Sequence, residues 1–288
     1  MWSCGVNFPN LARNMVKAKK FVLVKHFVGE PKESDLELVE EELPPLKDKE
    51  FLCEAEYLSV DPYMRPYTAR YPTGVTMVGS QIAKNTSYFG FLEICDPKPG
   101  EVVVVSGAAG AIGSHVGQIA QIKGCKVIGF AGSDDKVKWL VDELKFDAAF
   151  NYETTDVTKA LKQAAPNGVD CYFDNVGGTL SSAIISCMNE RGRISVCGSI
   201  SSYNADIKNM PSAPIVQLAV VSKQLKMEGF LTYRWLDRWN EGIMQNLQWI
   251  KEGKLVYRET VTEGFENMTK AFIGMLRGEN TGKAIVKA

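Results

Sequence analysis

The clearest chemistry in this 288-residue chain lies in Ser106-Gly107-Ala108-Ala109-Gly110-Ala111-Ile112-Gly113. The segment directly follows the β-branched run Val102–Val105 and opens a helical pattern. Ala108, Gly110 and Gly113 keep the spacing of a dinucleotide fingerprint, with alanine in the first place. Small residues there let the backbone approach a pyrophosphate, whose charge is met by amide groups at the helix amino terminus. The same glycines could serve packing alone. A strand before them, a helix after them and four further β-α units behind favour the phosphate site.

An NAD-binding chain would carry Asp or Glu at the end of its second strand, about twenty residues on. Here that strand ends Phe130-Ala131-Gly132-Ser133. Asp134 and Asp135 arrive later, where helix capping accounts for them. Lys136 then stands where it could meet a ribose 2′-phosphate, and it equally suits a solvated helix face. NADP is therefore favoured over NAD. Asp174-Asn175-Val176-Gly177-Gly178 closes one later strand, and Cys197-Gly198-Ser199-Ile200-Ser201-Ser202-Tyr203 closes the next. Ligands of open α/β sheets bind at such strand carboxyl ends. Tyr203 suits a donor to a developing enolate oxygen, or an ordinary loop tyrosine. Gly113-Ser114-His115-Val116-Gly117 puts its serine one position early for a nucleophile elbow. No Tyr is followed four residues later by Lys, which argues against a short-chain dehydrogenase.

These groups require a parallel sheet to position them, and the pattern supplies one. Strands are predicted over 101–106, 126–130, 148–151, 169–175 and 193–197, with helices near 112–122, 135–144 and 157–164 between them. That β-α alternation predicts an α/β fold with a doubly wound parallel sheet, a Rossmann domain. Helices are also predicted over 88–95, 235–252 and 268–276. Before residue 80 the pattern is of short strands, 17–28 and 50–57, with an acidic, proline-bearing connection over 30–49 and a break at Asp61-Pro62.

Composition narrows the remaining classes. With 33 Lys+Arg against 34 Asp+Glu, the net charge of −1 leaves no basic surplus for nucleic acid. The most apolar stretch, Val102–Ala120, carries four glycines, His115 and Gln118, and reads as strand-turn-helix rather than as a membrane span. Seven cysteines, an odd number without C-x-x-C, fit reduced thiols in a cytosolic protein. With only His26 and His115, a multi-histidine metal site is nearly excluded, and no metal is expected. His115, near a helix start, reads as a packing or surface residue. Met1–Asn14 has one Arg, no acid and no continuous apolar core. It lacks the marks of a secretory signal and has less Arg than a mitochondrial presequence wants, so a disordered extension is expected.

Taken together, these residues resemble the zinc-free medium-chain dehydrogenase/reductases. The resemblance begins at Met15 and includes Lys25-His26-Phe27-Val28-Gly29, Glu42-Leu43-Pro44-Pro45-Leu46 and Val60-Asp61-Pro62-Tyr63-Met64-Arg65. It continues through Gly110–Gly117, Cys171–Gly178, Tyr233-Arg234-Trp235, Glu263–Met268 and Gly282-Lys283. It implies an NADPH-dependent reductase of α,β-unsaturated ketones and aldehydes, such as 15-oxoprostaglandins and 2-alkenals, or an oxidant of a leukotriene 12-hydroxyl. Quinone reduction is the neighbouring alternative within the fold. The resemblance also implies a cytoplasmic homodimer acting in lipid and fatty-acid metabolism.

By the same resemblance, Gly110, Ala111, Ile112, Gly113 and Ser114 form the pyrophosphate turn, and Lys136 and Tyr152 flank the 2′-phosphate. Asn175 and Cys197, Gly198, Ser199, Ile200, Ser201, Ser202 and Tyr203 run along the cofactor. Phe230, Leu231, Thr232 and Asn280 complete its nicotinamide side. Tyr203, with a ribose hydroxyl of the cofactor, would stabilise the enolate. The implied domains are an extension, 1–14; a discontinuous β-rich GroES-like catalytic domain, 15–86 and 254–288; and an NADP-binding Rossmann domain, 87–253.

One departure from the family stands out. In the family, the segment matching Met77–Lys84 is followed by a few dozen residues that complete the catalytic domain, whereas here Asn85-Thr86 joins the flanks directly. Unpaired edges left by such a loss are costly. The alternative to an active reductase is thus a catalytically impaired dinucleotide-binding variant.

Overall fold

The computed structural model describes residues 3–5, 16–79, 83–205 and 210–288. The amino-terminal part is organised by a ladder of opposite charges. Strand β1 (Ser3–Gly5) pairs antiparallel with β2 (Lys17–Leu23), which pairs antiparallel with β3 (Leu36–Glu42). Lys17 stands opposite Glu42 and Lys19 opposite Glu40, and the Lys20 ammonium bonds the Glu41 carboxylate. Cross-strand pairs of opposite charge stabilise a ladder, which explains why the acidic stretch expected only as a connection contains a strand. Of residues 1–14, Ser3–Gly5 is the described part, and the rest lies outside the described residues.

The strand expected over 50–57 is reduced to β4 (Tyr57–Ser59). Residues 51–56 enter no ladder, and Phe51 is exposed. After the Asp61-Pro62 break comes the short helix α1 (Met64–Thr68). Helix α2 (Ala83–Leu92) begins earlier than the pattern predicts and runs straight through Asn85-Thr86. Asn85, Thr86 and Ser87 are buried, and Asn85 Nδ2 donates to the Trp239 carbonyl at 3.1 Å.

The central sequence then alternates as its hydrophobic runs demand: β5 (Val102–Ser106), α3 (Ala111–Ile122), β6 (Lys126–Ala131), α4 (Asp134–Asp142), β7 (Ala148–Asn151), α5 (Val157–Ala164), β8 (Val169–Asp174), α6 (Gly178–Ser186) and β9 (Met188–Val196). Helices α7 (Ile200–Tyr203) and α8 (Gln217–Ser222) lead to β10 (Lys226–Gly229). All six strands are parallel, in the order β10-β9-β8-β5-β6-β7. Side-chain alternation divides β5 between two cores. Val103 and Val105 pack with Phe91, Val116, Trp139 and Trp249, while Val104 packs with Ile128, Tyr172 and Ile184. The short edge strand β10 is absent from the sequence reading because Lys-Met-Glu-Gly has no apolar run. Helix α9 (Trp239–Lys251) starts later than predicted because Trp235, at φ −121° and ψ 27°, interrupts the turn before it.

The tail returns to the amino-terminal part. Strand β11 (Glu259–Glu263), helix α10 (Met268–Leu276) and strand β12 (Lys283–Lys287) follow, and β12 lies between β11 and β4. Phe21, Leu23, Met64, Phe265, Phe272 and Val286 share one core there, so the two ends of the chain form a single β-rich unit. Among the described residues, no helix is long and apolar enough to cross a membrane.

Winding reverses between β5 and β8, which are neighbours in the sheet. The crevice beyond the carboxyl ends of such strands is where open α/β sheets bind ligands. Ser106 and Asp174 stand at that edge.

Candidate active site

The glycine-rich turn is shaped by contact rather than by its own flexibility. A Cβ on Gly113 would sit 2.3 Å from the Gly107 carbonyl oxygen, so only glycine lets the first turn of α3 rest on the strand exit. Gly110 is the N-cap, and no side chain covers the first amides of the helix. Those amides, with the positive end of a twelve-residue helix behind them, form a cradle suited to a phosphate. The predicted residues Gly110–Ser114 are thus together in one turn.

Beside the turn, the Asp174 carboxylate is a hub. Its Oδ1 accepts from Ser106 Oγ at 3.0 Å, Tyr172 OH at 2.8 Å, and the Val176 and Gly177 amides at 2.9 Å each. Its Oδ2 accepts from Ser181 Oγ at 2.6 Å. The Asp174 carbonyl takes the Cys197 and Gly198 amides at 2.8 and 3.1 Å, which fixes the second loop against the first. Asn175 completes the link, its Nδ2 donating to the Ser106 carbonyl at 2.7 Å. Ile200 and Ser201 donate backbone bonds to the Asn175 and Val176 carbonyls. Burial, reinforced by Asp174, pushes the Cys197 thiol up to about 12, so it is an uncharged wall and not a nucleophile.

Tyr203 lies at the end of this second loop. Its hydroxyl oxygen accepts the Ser199 amide at 3.3 Å, which leaves the proton available to a ligand. Burial comes first among the causes that raise its pKa. The Ser199 amide opposes that, and the nearby Cys197, Tyr67 and Asp174 reinforce it. Tyr67 comes from α1, where its ring meets Tyr63 edge-on at 5.4 Å. The adjacent Gly29 lies beside the Asn204 carbonyl, and Arg65 Nη2 ties α1 to Gly29 O at 2.8 Å. The β-rich unit therefore still reaches the loop that carries Tyr203.

Tyr152 lies at the exit of β6, and Lys136 follows that strand in the first turn of α4. The Tyr152 hydroxyl lies against Gly132, its amide donates to Ala131 O at 3.1 Å, and burial raises its pKa. Ser133, rather than either acid, caps α4 through the Lys136 amide. Asp134 is engaged by Asn151 Nδ2 at 2.8 Å. The Lys136 ammonium, its pKa lowered by burial, donates to the Gly278 carbonyl. Asn280 belongs to the same loop, with Nδ2 on Gly282 O at 2.8 Å. Phe230 faces inward, its ring packed near Phe173 and Trp235, whereas Leu231 is exposed and Thr232 opens the following turn. His115 is buried in α3, with Nδ1 2.9 Å from the Ala111 carbonyl oxygen.

Sequence reasoning missed the residues that hold these pieces together. Asp174 was only part of a strand-end motif, and its role as shared acceptor depends on Ser106, brought in from another strand. Gly282 and Lys283 carried no chemical signal beyond the resemblance. The Gly282 amide donates to Ala109 O at 2.7 Å, and Lys283 Nζ reaches Val60 O at 2.6 Å and Asp61 Oδ1 at 2.7 Å. Such a role leaves no local trace in the sequence, because only the fold shows that the lysine is buried and which carboxylate it meets.

The family described as zinc-binding dehydrogenase matches residues 111–249, and the N-terminal domain of oxidoreductase matches residues 19–87. Prostaglandin reductase 1 of Bos taurus is 46% identical over 334 aligned positions, covering 95% of this chain and all of that protein. The Mus musculus prostaglandin reductase 1 is 44% identical with the same coverage of both chains. The crystal structure of CurA in complex with NADPH from Vibrio vulnificus superposes with a TM-score of 0.86 at 31% identity, covering 94% of this chain and 99% of that one. The chain belongs to the prostaglandin reductases of the medium-chain dehydrogenase/reductase superfamily. As a member of that family it is an oxidoreductase, and its two-part architecture is that of the superfamily. The 334 positions of the Bos taurus alignment exceed the 288 residues here, so the relative carries residues that this prostaglandin reductase homologue lacks. Among the described residues, no group of three or more His, Cys, Asp or Glu is arranged to hold a metal ion.

The hub makes a direct prediction. Asp174→Ala removes the acceptor shared by three hydroxyls and two amides, and should lower unfolding stability by at least about 3 kcal/mol, since each stranded buried donor is costly. Urea denaturation measures it, and a loss below about 1 kcal/mol would show that the loops hold without the carboxylate.

Proposed function

We propose that this protein reduces the carbon–carbon double bond of α,β-unsaturated ketones and aldehydes with NADPH, with 15-oxoprostaglandins and 2-alkenals as the substrate classes. The observation that carries this reading is that the β-rich unit still reaches the Tyr203 loop despite the shortened chain, with Gly29 beside the Asn204 carbonyl and Arg65 tying α1 to Gly29 O at 2.8 Å. The cradle at Gly110–Ser114 is dimensioned by the Gly113 contact for backbone approach to a pyrophosphate. Lys136 and Tyr152 suit the 2′-phosphate, and Asp134, held by Asn151, is not free to select a ribose hydroxyl. Asn175, the 197–203 loop, the 230–232 segment and Asn280 border the remainder.

When bound, the dihydronicotinamide supplies the hydride that the electrophilic β-carbon of an enone accepts. Negative charge then develops on the substrate carbonyl oxygen, and the Tyr203 O–H is the donor that meets it. Its raised pKa keeps the phenol protonated above the ordinary tyrosine range, so it stays a donor throughout neutral pH. Solvent protonates the α-carbon, which balances the reaction as one hydride and one proton added across the double bond. Positioning and oxyanion stabilisation provide the rate, as the enone needs no Lewis acid to become electrophilic.

Incubating the protein with NADPH and a 2-alkenal should consume the NADPH, followed as loss of its absorbance. Tyr203→Phe should lower kcat about 100-fold with NADPH binding retained. Binding of NADPH without turnover of any alkenal or 15-oxoprostaglandin would overturn the reading in favour of an impaired dinucleotide binder, and turnover of quinones alone would favour quinone reduction. Lys136→Ala should weaken NADPH binding about tenfold or more while leaving NADH unchanged, because only the 2′-phosphate meets the ammonium. Equal effects on the two cofactors would remove Lys136 from the site.

A homodimer completes the proposal. Ile215, Leu218 and Val221 are exposed beside β10, an edge strand with one open side. A second copy, meeting the same surface by a two-fold axis, satisfies both the apolar side chains and the open edge. Sedimentation equilibrium should give twice the chain mass, and Leu218→Asp should shift it to monomer; a monomeric native protein would contradict this part.

A further inference from the structure

The catalytic reading gives no task to the buried pair Lys283–Asp61. Lys283 opens β12 inside the protein, its side chain only 11% exposed, and its ammonium bonds Asp61 Oδ1 at 2.7 Å and the Val60 carbonyl at 2.6 Å. Burying an ammonium and a carboxylate is costly unless the pair is well hydrogen-bonded, and an apolar pair of like size is often no less stable. Stability alone is therefore a weak account of it.

Its neighbours show what the pair connects. Gly282, immediately before it, donates its amide to Ala109 O inside the glycine-rich turn and forms a bridge with Gly110. Gly282 has φ +72°, and a Cβ there would fall 2.0 Å from the Arg258 carbonyl oxygen, so its backbone has no freedom to drift. On the other side, Ser59 Oγ bonds the second Asp61 oxygen, and the Asp61 carbonyl receives the Met64 amide at 3.2 Å where α1 begins. Two consecutive residues thus grip the pyrophosphate turn with one hand and the base of α1 with the other. Tyr63 and Tyr67, whose rings meet edge-on, ride on that base, and the same segment reaches the Tyr203 loop through Arg65 on Gly29 O, beside the Asn204 carbonyl.

We propose that Lys283, acting through Asp61, is the positioning residue that sets the Tyr63–Tyr67 segment over the crevice at a fixed height above the dinucleotide turn. It touches neither cofactor nor substrate in this scheme; it sets the distance between the wall that binds one and the wall that binds the other. The proposal rests on the enone-reductase reading for its kinetic consequence, and on the geometry alone for its structural one.

Three proteins test it: native, Lys283→Met, and the double variant Asp61→Leu/Lys283→Met, which removes both charges. Lys283→Met strands the Asp61 carboxylate and should lower Tm, while the double variant should recover most of that loss. NADPH affinity should be unchanged in the double variant. Its kcat/KM for the alkenal should nevertheless remain about 100-fold below native, chiefly through KM, since a small misplacement of a substrate wall is enough for such a loss. Amide hydrogen exchange across 59–71 should be faster than native in the double variant with NADPH bound. Recovery of both Tm and kcat/KM, or native exchange in that segment, would reduce the pair to a structural role and overturn the proposal. If the native protein turns over no enone, the reading of function fails, and the exchange comparison still decides the positioning role.

Discussion

The site depends on one carboxylate at the point where the sheet reverses its winding. Asp174 ends a strand that is buried on both faces, so its charge has no access to bulk water and must be met from within. Five donors from three segments do so: Ser106 at the neighbouring strand end, Tyr172 on its own strand, and Val176, Gly177 and Ser181 in the following turn and helix. Because the donors are those segments, satisfying the charge is the same act as fixing the loops. The backbone carbonyl of the same residue then carries the 197–203 loop. Tyr172 records the constraint. Fully buried beside that charge, its phenol is held far above its ordinary pKa and serves only as a donor.

A second constraint joins the two units. The loops at the strand carboxyl ends come from residues after Ser87, and the amino-terminal part meets them where Gly29 lies beside the Asn204 carbonyl. The chain between them crosses only through α2 and through the return of the tail. The Gly282 amide on Ala109 O takes up the connection, and Lys283 and Arg65 brace the β-rich side of it, both on backbone carbonyls. Such contacts set distance more sharply than apolar packing, because a hydrogen bond is lost over a fraction of an ångström.

How far the sequence disclosed this follows from the range of the forces involved. The parallel sheet was legible because runs such as Val102–Val105 and Val169–Asp174 encode burial locally, and the turn at 106–113 because glycine spacing reports backbone approach. Strand β3 was hidden by its charge: Leu-Glu-Leu-Val-Glu-Glu-Glu reads as a connection until the lysines of β2 are placed opposite. Strand β10 was hidden by its brevity. The start of α9 moved because Trp235, stacked on Phe89 and covered by the Arg234 guanidinium, sits at non-helical φ and ψ. The hub and the Lys283 pair were illegible for one reason. Each needs a partner more than sixty residues away, Ser106 for Asp174 and Asp61 for Lys283, and no local pattern marks a charge as buried.

The shortened chain bears unequally on the two halves of the site. Where the family carries further residues, helix α2 here begins at once and folds Asn85 and Thr86 into its first turns, with Asn85 anchored to Trp239 O and Phe89 stacked on Trp235. That junction packs α2 against α3 and α9, so the helix that supports the glycine-rich turn is seated without the missing block. The β-rich unit has no equivalent repair. Residues 51–56 enter no ladder, and β4 pairs with β12 along only three residues. Ordering a segment costs conformational entropy that contacts must offset, and the contacts on this side are few. The Rossmann half therefore keeps its glycine-rich turn seated, while the β-rich half rests on α1, Arg65 and the Lys283–Asp61 pair. Any difference between this homologue and its longer relatives is therefore expected on the β-rich side rather than at the glycine-rich turn.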